Sequence, residues 1–364
     1  MDFLSGYSAM NQGHCHPVIV EAMQKQASVL TLTSRAFHNN LFGEFCQFLT
    51  EQFGYDRVLA MNTGVEAGET AVKYARKWGY MVKGVPDGQA RVVFAKDNFW
   101  GRSIAAVSSS TDPTCTGGFG PYTPGFDIVP YNDTKALEER LADPNVCAFY
   151  VEPIQGEAGV VVPDDAYFPE VRRLCSKHNV LLICDEIQTG LARTGRMLCS
   201  DHYGIRPDMV VLGKALSGGL MPVSAVLGDD EVMLTIGPGE HGSTYGGNPL
   251  ACAVARAAIN VIHDEALCEN ADVMGEMFRS RLRAEQDRKP WIRDVRGKGL
   301  LNAIELDPTH PYSGKDLCVN LMNKGLLAKQ THEHTIRFAP PLVITADEME
   351  EGLSTISEAL QECS

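Results

Sequence analysis

The sequence has no long apolar run and comparatively few basic residues. No stretch approaches the roughly 18 apolar residues that span a bilayer, and the mean hydropathy is −0.12. Lysine and arginine number 32 against 46 acidic residues, which gives a net charge of −14. Because an acidic surface repels phosphate backbones, we expect no binding to nucleic acid. The lack of a long apolar run predicts a soluble protein that does not bind a membrane.

The cysteines have no pairing or metal-binding pattern. The 11 cysteines are scattered, their number is odd and no CxxC pair occurs, which argues against a disulfide framework and a zinc ribbon. In His14-Cys15-His16 and His332-Glu333-His334, neighbouring side chains would point to opposite faces of an extended chain, and we expect no metal site there. Cys115 lies in the glycine- and proline-rich stretch DPTCTGGFGPYTPGF, where an exposed thiol is expected. The pattern indicates a reducing intracellular compartment.

The length of 364 residues indicates two or more domains. From about residue 55 to 230, apolar strands alternate with amphipathic helices, which predicts an α/β fold with a mostly parallel sheet. After about residue 248, a long helix with one break precedes strands and two further helices, as in an α+β domain. We predict a remnant of an N-terminal segment at 1–7, a large domain at 8–264 and a small C-terminal domain at 265–364.

Two ionisable residues follow apolar strands. Lys214 comes after the strand in MVVLGK, and Asp185 comes after the strand in VLLICD. Since parallel strands end at one edge of a sheet, the amine and the carboxylate should meet there. An imine-forming lysine beside a carboxylate that pairs with a ring nitrogen is the arrangement that pyridoxal 5′-phosphate (PLP) needs. The alternatives are a lysine that reaches out to solvent and an aspartate that caps a helix.

A phosphate site is indicated at a strand–turn–helix unit. In MNTGVEAGETAVKYARK, the amides of Gly64 and Val65 would lie at a helix N-terminus, where anions are favoured. The glycine-rich stretch HGSTYGGNP could add hydroxyl donors. GPGEHG at 237–242 formally matches a dinucleotide fingerprint, but no clear strand precedes it and no helix follows directly.

Several long motifs resemble one enzyme family. GVEAGETAVKYARKW, EPIQGEAGV, CDEIQTGLARTG, LGKALSGG, HGSTYGGNPL and RGKGLLNAIE are similar to the class III PLP-dependent aminotransferases. The resemblance runs from the first residues to the last helix. It implies a fold type I transferase, with a large, mostly parallel sheet domain covered by helices on both faces and a smaller α+β C-terminal domain. It also implies a homodimer with shared active sites.

The resemblance assigns cofactor roles to particular residues. Lys214 would form the imine with PLP and carry the proton between substrate and cofactor, while Asp185 would pair with the pyridine nitrogen. The other implied cofactor-binding residues are Gly64, Val65, Phe99, Glu152, Ile187 and Gln188, joined by Ser243 and Thr244 of the neighbouring subunit. In particular, Glu152 would support Asp185 through hydrogen bonds, and Gln188 would reach the phenolic oxygen of PLP.

Within the family, DFLSGYSAMNQGHCHP, NFWGR, SSSTDP and GEHGSTYGGNP resemble the members that transfer the δ-amino group of L-ornithine to 2-oxoglutarate, giving glutamate-5-semialdehyde and glutamate. Arg102 and Arg337 would then bind substrate carboxylates, and Glu157 would neutralise Arg337 when ornithine binds. Tyr7 resembles a tyrosine that separates these members from those active on 4-aminobutyrate.

Two alternatives remain open. The same scaffold serves acetylornithine, 4-aminobutyrate and lysine, and a catalytically dead paralogue could retain a binding role. Relatives in the family are expected to carry a further segment ahead of DFLSGY, so we expect the chain to start inside that region. The first residues resemble neither a signal nor a transit peptide, which favours the cytoplasm over the mitochondrial matrix.

Overall fold

The computed structural model describes residues 1–363, in which the large sheet has seven strands in the order β1-β7-β6-β5-β4-β2-β3. β7 alone runs antiparallel to its neighbours. The other strand pairs of this sheet are parallel. The strands are β1 (Arg57–Met61), β2 (Arg91–Ala95), β3 (Phe126–Val129), β4 (Val146–Val151), β5 (Leu181–Asp185), β6 (Met209–Leu212) and β7 (Ser224–Gly228).

Helices cover both faces of this sheet because the strands are apolar on both sides. Val92 and Phe94 of β2 belong to one apolar core, and Val93 and Ala95 of the same strand belong to another. The strands read as continuous apolar runs rather than as alternating ones, which is typical of a sheet buried on both faces. Up to the end of the large sheet, the helices are α1 (Ser5–Ser8), α2 (Pro17–Ala27), α3 (Asn40–Phe53), α4 (Gly64–Trp78), α5 (Ile104–Ser108), α6 (Pro113–Thr116), α7 (Thr134–Leu141) and α8 (Tyr167–Lys177).

A second, antiparallel sheet follows in the last third of the chain. Its order is β10-β11-β9-β8, and α11 packs on β8 while α13 packs on α11 and α12. Its strands are β8 (Ile292–Lys298), β9 (Leu301–Leu306), β10 (Lys329–Thr331) and β11 (Thr335–Phe338); the remaining helices are α9 (Asp230–Met233), α10 (Pro249–Asp264), α11 (Leu267–Gln286), α12 (Gly314–Asn323) and α13 (Ala346–Glu362). The predicted large, mostly parallel sheet and smaller α+β part are therefore confirmed.

The first residues lie against the second sheet. The amide of Phe3 donates to the carbonyl of Leu327 at 2.8 Å, and Ala339 donates to the carbonyl of Phe3 at 2.6 Å. The predicted domain limits at 7/8 and 264/265 stay a prediction. No helix within residues 1–363 is long and apolar enough to cross a membrane.

The expectation of an exposed Cys115 is wrong. Its stretch folds into the short helix α6, which Asp112 caps, and the thiol is only 8% exposed. Arg102 Nη1 lies 3.5 Å from the sulfur. This glycine- and proline-rich stretch thus contains a short, capped helix that buries Cys115, rather than an open loop.

Candidate active site

The amine of Lys214 and the carboxylate of Asp185 do meet at one edge of the large sheet. β5 and β6 are parallel neighbours, and Asp185, the last residue of β5, is paired with Val211 of β6. Lys214 begins a short 3₁₀ turn directly after β6, with a left-handed φ of 46°. Adjacent parallel strands thus bring together two groups that lie 29 positions apart in the sequence.

Burial lowers the pKa of Lys214, although Asp185 and Glu157 oppose the shift. The residue is half-buried and its side chain borders a cavity. A buried ammonium loses hydration, which favours the neutral amine. The neutral amine is the form that can attack a carbonyl carbon.

Asp185 is held in a defined orientation by two donors. The hydroxyl of Tyr150 donates to Oδ2 at 2.7 Å, and the amide of Ile187 donates to Oδ1 at 3.0 Å. Burial raises the pKa of Asp185, and these hydrogen bonds and the charge of Lys214 oppose the shift. A cationic group in the cavity would favour the carboxylate further. The carboxylate is therefore poised to pair with a positive partner.

Glu152 lies near Asp185 but has a different role from the one predicted. Its oxygens accept hydrogen bonds from the amides of Phe99 at 2.9 Å and Gly156 at 3.4 Å. Burial and the neighbouring Asp185 raise its pKa to about 8, so the carboxyl is mainly protonated at neutral pH. Within residues 1–363 its hydrogen bonds join the loops after β2 and β4, rather than reaching Asp185.

The predicted phosphate-binding residues Gly64 and Val65 lie at the N-terminus of α4. Thr63 caps the helix in a reciprocal arrangement with Glu66. Gly64 and Val65 follow as the first helical residues, whose amides have no partner within a helix. Both residues line the cavity. Unpaired amides and the helix dipole together favour a phosphate at this position.

Most of the predicted cofactor-binding residues surround one cavity of about 250 Å³. Phe99 and Ile187 contribute apolar walls, while α4 and the sheet edge contribute the polar ones. Trp100 and Gly101 were not predicted. The lining residues are Gly64, Val65, Phe99, Trp100, Gly101, Arg102, Glu152, Asp185, Ile187, Gln188 and Lys214.

Gln188 connects this cavity to a buried ion pair. Arg337 Nη1 donates to Glu157 Oε1 at 2.8 Å and to Gln188 Oε1 at 3.2 Å, and Gln188 Nε2 donates to Glu157 Oε1 at 3.3 Å. Burial raises the pKa of Glu157, but Arg337 outweighs it and the pKa is lowered overall. The carboxylate is therefore ionised at neutral pH.

Arg337 has unused donors. It is 1% exposed, and its Nε and Nη2 have no hydrogen-bond partner among the described residues. Buried guanidinium groups normally satisfy their donors. Two unpaired N–H groups beside the cavity fit a planar acceptor such as a carboxylate.

Gly156 is required by the close packing of this cluster. A Cβ atom on Gly156 would lie 1.6 Å from Oε1 of Gln188. Any side chain would therefore displace Gln188 from Glu157 and Arg337.

Tyr7 and Arg102 contact different residues of the site. The Tyr7 ring lies 5.2 Å from Cζ of Arg337, and its hydroxyl accepts a hydrogen bond from Lys329 at 2.8 Å. Arg102 lies over the ring of Phe99, with 5.6 Å between Cζ and the ring centroid. Both predicted substrate residues are thus near the amine-binding region, although only Arg102 lines the cavity itself.

Ser243 and Thr244 are outside the cavity of their own chain. Ser243 accepts hydrogen bonds from the side chain of Asn62 at 2.9 Å and from the amide of Gly246 at 3.0 Å. Thr244 is exposed. Their predicted contact with the phosphate of the neighbouring subunit stays a prediction.

Tyr150 is the main residue that the sequence analysis missed. It lies on β4, two positions before Glu152, which directly follows the strand. A hydroxyl inside the otherwise apolar run VCAFYV is the signal that could have indicated it, because a buried hydroxyl needs a partner.

The fold and the site define a class of protein: an α/β enzyme with a half-buried lysine, a carboxylate and a helix N-terminus around one cavity. The family model of class-III aminotransferases matches residues 1–360. The chain belongs to this family, as its motifs predict.

Particular relatives narrow this class. The chain is 60% identical over 360 residues to the mitochondrial ornithine aminotransferase of Rattus norvegicus, covering 99% of this chain and 81% of the relative. It is 52% identical to a solved ornithine aminotransferase from Toxoplasma gondii, in which PLP partly occupies the active site. The match covers 100% of this chain and 86% of that structure, with a TM-score of 0.98. A solved acetylornithine aminotransferase from Elizabethkingia anophelis is 50% identical, with a TM-score of 0.89. This match covers 99% of this chain and 88% of that structure.

Proposed function

We propose that the protein is a PLP-dependent ornithine aminotransferase. It would transfer the δ-amino group of L-ornithine to 2-oxoglutarate, giving glutamate-5-semialdehyde and glutamate. The observation that carries this proposal is the meeting of Lys214 and Asp185 in a buried cavity beside the N-terminus of α4. The relatives named ornithine aminotransferase support the choice of substrate.

The residues around the cavity fit PLP. Gly64 and Val65 would bind its phosphate, Asp185 its pyridine nitrogen, and Phe99 and Ile187 would pack on its ring. When bound, PLP supplies an aldehyde that takes up an amino group and a ring that withdraws electrons. Glu152 would hold the loop that carries Phe99, through the hydrogen bond to the amide of that residue.

Lys214 and Gln188 would act on the reacting side. The lowered pKa of Lys214 keeps a fraction of its amine neutral, so Nζ can bind a carbonyl carbon and, once released, accept and return a proton. Gln188 borders both the cavity and the ion pair. It would contact the phenolic oxygen of PLP and also accept a hydrogen bond from Arg337 while that residue is paired with Glu157.

Arg102, Arg337, Glu157 and Tyr7 would select the substrate. With ornithine bound, Glu157 neutralises Arg337, so the terminal amine rather than the α-amine approaches Lys214. With glutamate bound, Arg337 is released to take the α-carboxylate, while Arg102 binds the other carboxylate. The ion pair at 2.8 Å and the unpaired donors of Arg337 support this exchange.

We also propose a homodimer with shared active sites. Exposed apolar side chains occur at Val29, Phe37, Ile104 and Tyr245. Tyr245 directly follows the exposed Thr244. The glycine-rich loop therefore combines an apolar side chain for the subunit contact with a hydroxyl that would donate a hydrogen bond to the phosphate. Ser243 and Thr244 would complete the phosphate site of the other subunit.

Acetylornithine is the second candidate substrate, because a 50% identical structure carries that name. Glu157 and Tyr7 favour free ornithine, since a carboxylate paired with Arg337 and a phenol suit a substrate with a free α-amine. We further propose a reducing intracellular compartment, which the free state of all 11 cysteines supports. The choice of cytoplasm over mitochondrial matrix stays a prediction.

The test is a visible absorption spectrum of the PLP-loaded protein, titrated with ornithine, acetylornithine, 4-aminobutyrate and lysine. We expect ornithine to bleach the cofactor band selectively and 2-oxoglutarate to restore it. Lys214→Ala is the control, and its spectrum should lack the lysine-bound band. Bleaching by another amine alone would contradict the ornithine assignment, and no response to any amine would indicate a protein without this activity.

A further inference from the structure

An arginine of the small sheet contacts the backbone of the loop that carries Glu157. Nη2 of Arg296, on β8, donates to the carbonyl of Gly159 at 2.8 Å. Nε donates to the carbonyls of Gly159 at 3.0 Å and Val160 at 3.1 Å. These carbonyls lie only two and three residues beyond Glu157. The loop that positions one half of the ion pair is thus bound by a second cation.

Arg296 and Arg337 belong to one row of the small sheet. Ala303 of β9 is paired with Arg296 on one side and with Arg337 on the other. Directly paired residues of neighbouring strands share a face, so both guanidinium groups leave the same face of the sheet, about 10 Å apart at the backbone. Arg337 binds the side chain of Glu157, and Arg296 binds the main chain just after it.

Arg296 is itself fixed in place. Nη1 donates to Asp294 Oδ2 at 2.8 Å and to Glu305 Oε2 at 2.7 Å. Glu305 is paired with Thr335 of β11, the strand that carries Arg337. The planar guanidinium therefore links two carboxylates of the sheet to two carbonyls of the loop, a contact set that only arginine can make in full.

The loop needs such a tether. Gly159 and Val160 have left-handed φ values of 111° and 54°, and a β-branched residue adopts that conformation only under constraint. Besides Arg296, the burial of Val160 in an apolar core and short-range hydrogen bonds hold the turn: Gly159 and Val160 donate to Gly156, and Val161 donates to Gln155. The amide–carbonyl distances are 3.2, 3.3 and 3.0 Å.

We propose that Arg296 is a positioning residue that sets how readily Glu157 pairs with Arg337, and so sets the preference for the δ-amine of ornithine over the α-amine. This inference rests on the proposed function. If the tether is lost, Glu157 pairs less often, and Arg337 is free more often. The ornithine half-reaction should then suffer while the glutamate half-reaction, which needs a free Arg337, should not.

The kinetic test compares Arg296→Gln with Arg293→Gln. Arg293 lies on the same strand, is exposed and donates to Asp307 at 3.1 Å, and it makes none of the loop contacts. In single-turnover measurements, Arg296→Gln should lower kcat/KM for ornithine about tenfold, the scale of one weakened charge-assisted hydrogen bond. Its kcat/KM for glutamate should stay within about twofold of wild type or rise. Arg293→Gln should leave both unchanged.

Isotope-labelled substrate reports the preference directly. With ornithine labelled at the δ-nitrogen, the label should enter glutamate less completely in Arg296→Gln than in wild type, as it should in the reference variant Glu157→Ala. Arg296→Lys retains the charge and one or two donors, and should recover part of the selectivity. Equal losses in both half-reactions would overturn the proposal, because a merely structural defect affects both.

Hydrogen exchange tests the tether without cofactor or substrate. The amides of residues 159–161 should exchange at least several-fold faster in Arg296→Gln than in Arg293→Gln, while those of β6 should not change. Unchanged exchange at 159–161 would overturn the proposal even for an enzyme active on ornithine. Failure of wild type to use ornithine, with faster exchange in the variant, would instead overturn the proposed substrate.

Discussion

At the scale of single residues, two buried carboxyl groups, one lining the cavity and one next to Asp185 in the chain, should impose a pH dependence on the apo-protein. The pKa of Glu152 is raised from 4.5 to about 8, and that of Glu186 from 4.5 to about 7. Burial is the main cause for both, since it disfavours the charged form. In each case the folded state holds its proton more tightly than the unfolded state does. The free energy of unfolding should therefore fall as pH rises through these windows.

Glu152→Gln removes the part of this pH dependence that the Glu152 carboxyl causes. Relative to the variant, wild type should lose up to about 1.4 kcal/mol of stability per pH unit between about pH 4.5 and 8. Denaturant unfolding of the apo-proteins at pH 5, 6, 7 and 8 measures the difference. Glu186→Gln is the matched variant, and its difference from wild type should level off near pH 7 instead. Parallel stability curves for wild type and Glu152→Gln would contradict the raised pKa.

At the scale of elements, the loop after β5 is held by a buried cation that has no hydrogen-bonded carboxylate partner among residues 1–363. Arg193 is fully buried and donates to the side chain of Asn11 at 2.6 Å and to the carbonyls of Leu300 at 3.0 Å and Pro340 at 2.7 Å. The loop that carries Gln188 is thereby joined to the N-terminal residues and to the small sheet. Burial lowers the pKa of Arg193 to about 9.

Arg193→Met should destabilise the protein by about 3 kcal/mol, because it leaves three buried acceptors without a donor. Arg196→Met is the control in the same loop. Arg196 is about half exposed and pairs with Asp272 at 3.0 Å, an arrangement that contributes at most about 1 kcal/mol. The midpoints of denaturant unfolding for the two variants provide the comparison. Equal midpoints would mean that Arg193 does not hold the loop.

Elements with local signals could be predicted from the sequence. The last helix, α13, begins after the capping box of Thr345 and Glu348, and it is one of the two further helices expected near the end of the chain. The meeting of Lys214 and Asp185 followed from strand order alone, since both strands end at one edge. The apolar runs of β5 and β6 marked those ends clearly.

Contacts that join distant segments could not be predicted in this way. The hydrogen bonds of Arg296 to the Glu157 loop span 136 and 137 positions, and no local pattern encodes such a distance. The cluster of Gln188, Glu157 and Arg337 was assigned by resemblance, whereas its dependence on Gly156 required the packing of two loops against strand β11. Cys115 was misjudged because composition alone does not indicate whether a glycine-rich turn packs inward.

At the scale of the whole molecule, the proposed dimer predicts complementation between two damaged subunits. Lys214→Ala lacks the reacting amine, and Thr244→Ala lacks the hydroxyl proposed to bind the phosphate of the other subunit. In a heterodimer of the two variants, one active site would combine Lys214 of one chain with Thr244 of the other. That site would be intact, and its counterpart would be inactive.

Co-expression with two different affinity tags isolates this heterodimer. The Thr244→Ala homodimer should bind PLP about tenfold more weakly, the scale of one hydrogen bond to a charged phosphate, and the Lys214→Ala homodimer should be inactive. At a PLP concentration that leaves the Thr244→Ala homodimer mostly empty, the heterodimer should show about half of the wild-type activity. If Thr244 instead served its own chain, the only subunit with Lys214 would also lack the hydroxyl, and the heterodimer would remain as weak as the Thr244→Ala homodimer. Because Thr244 is exposed and lies outside its own cavity, we expect complementation.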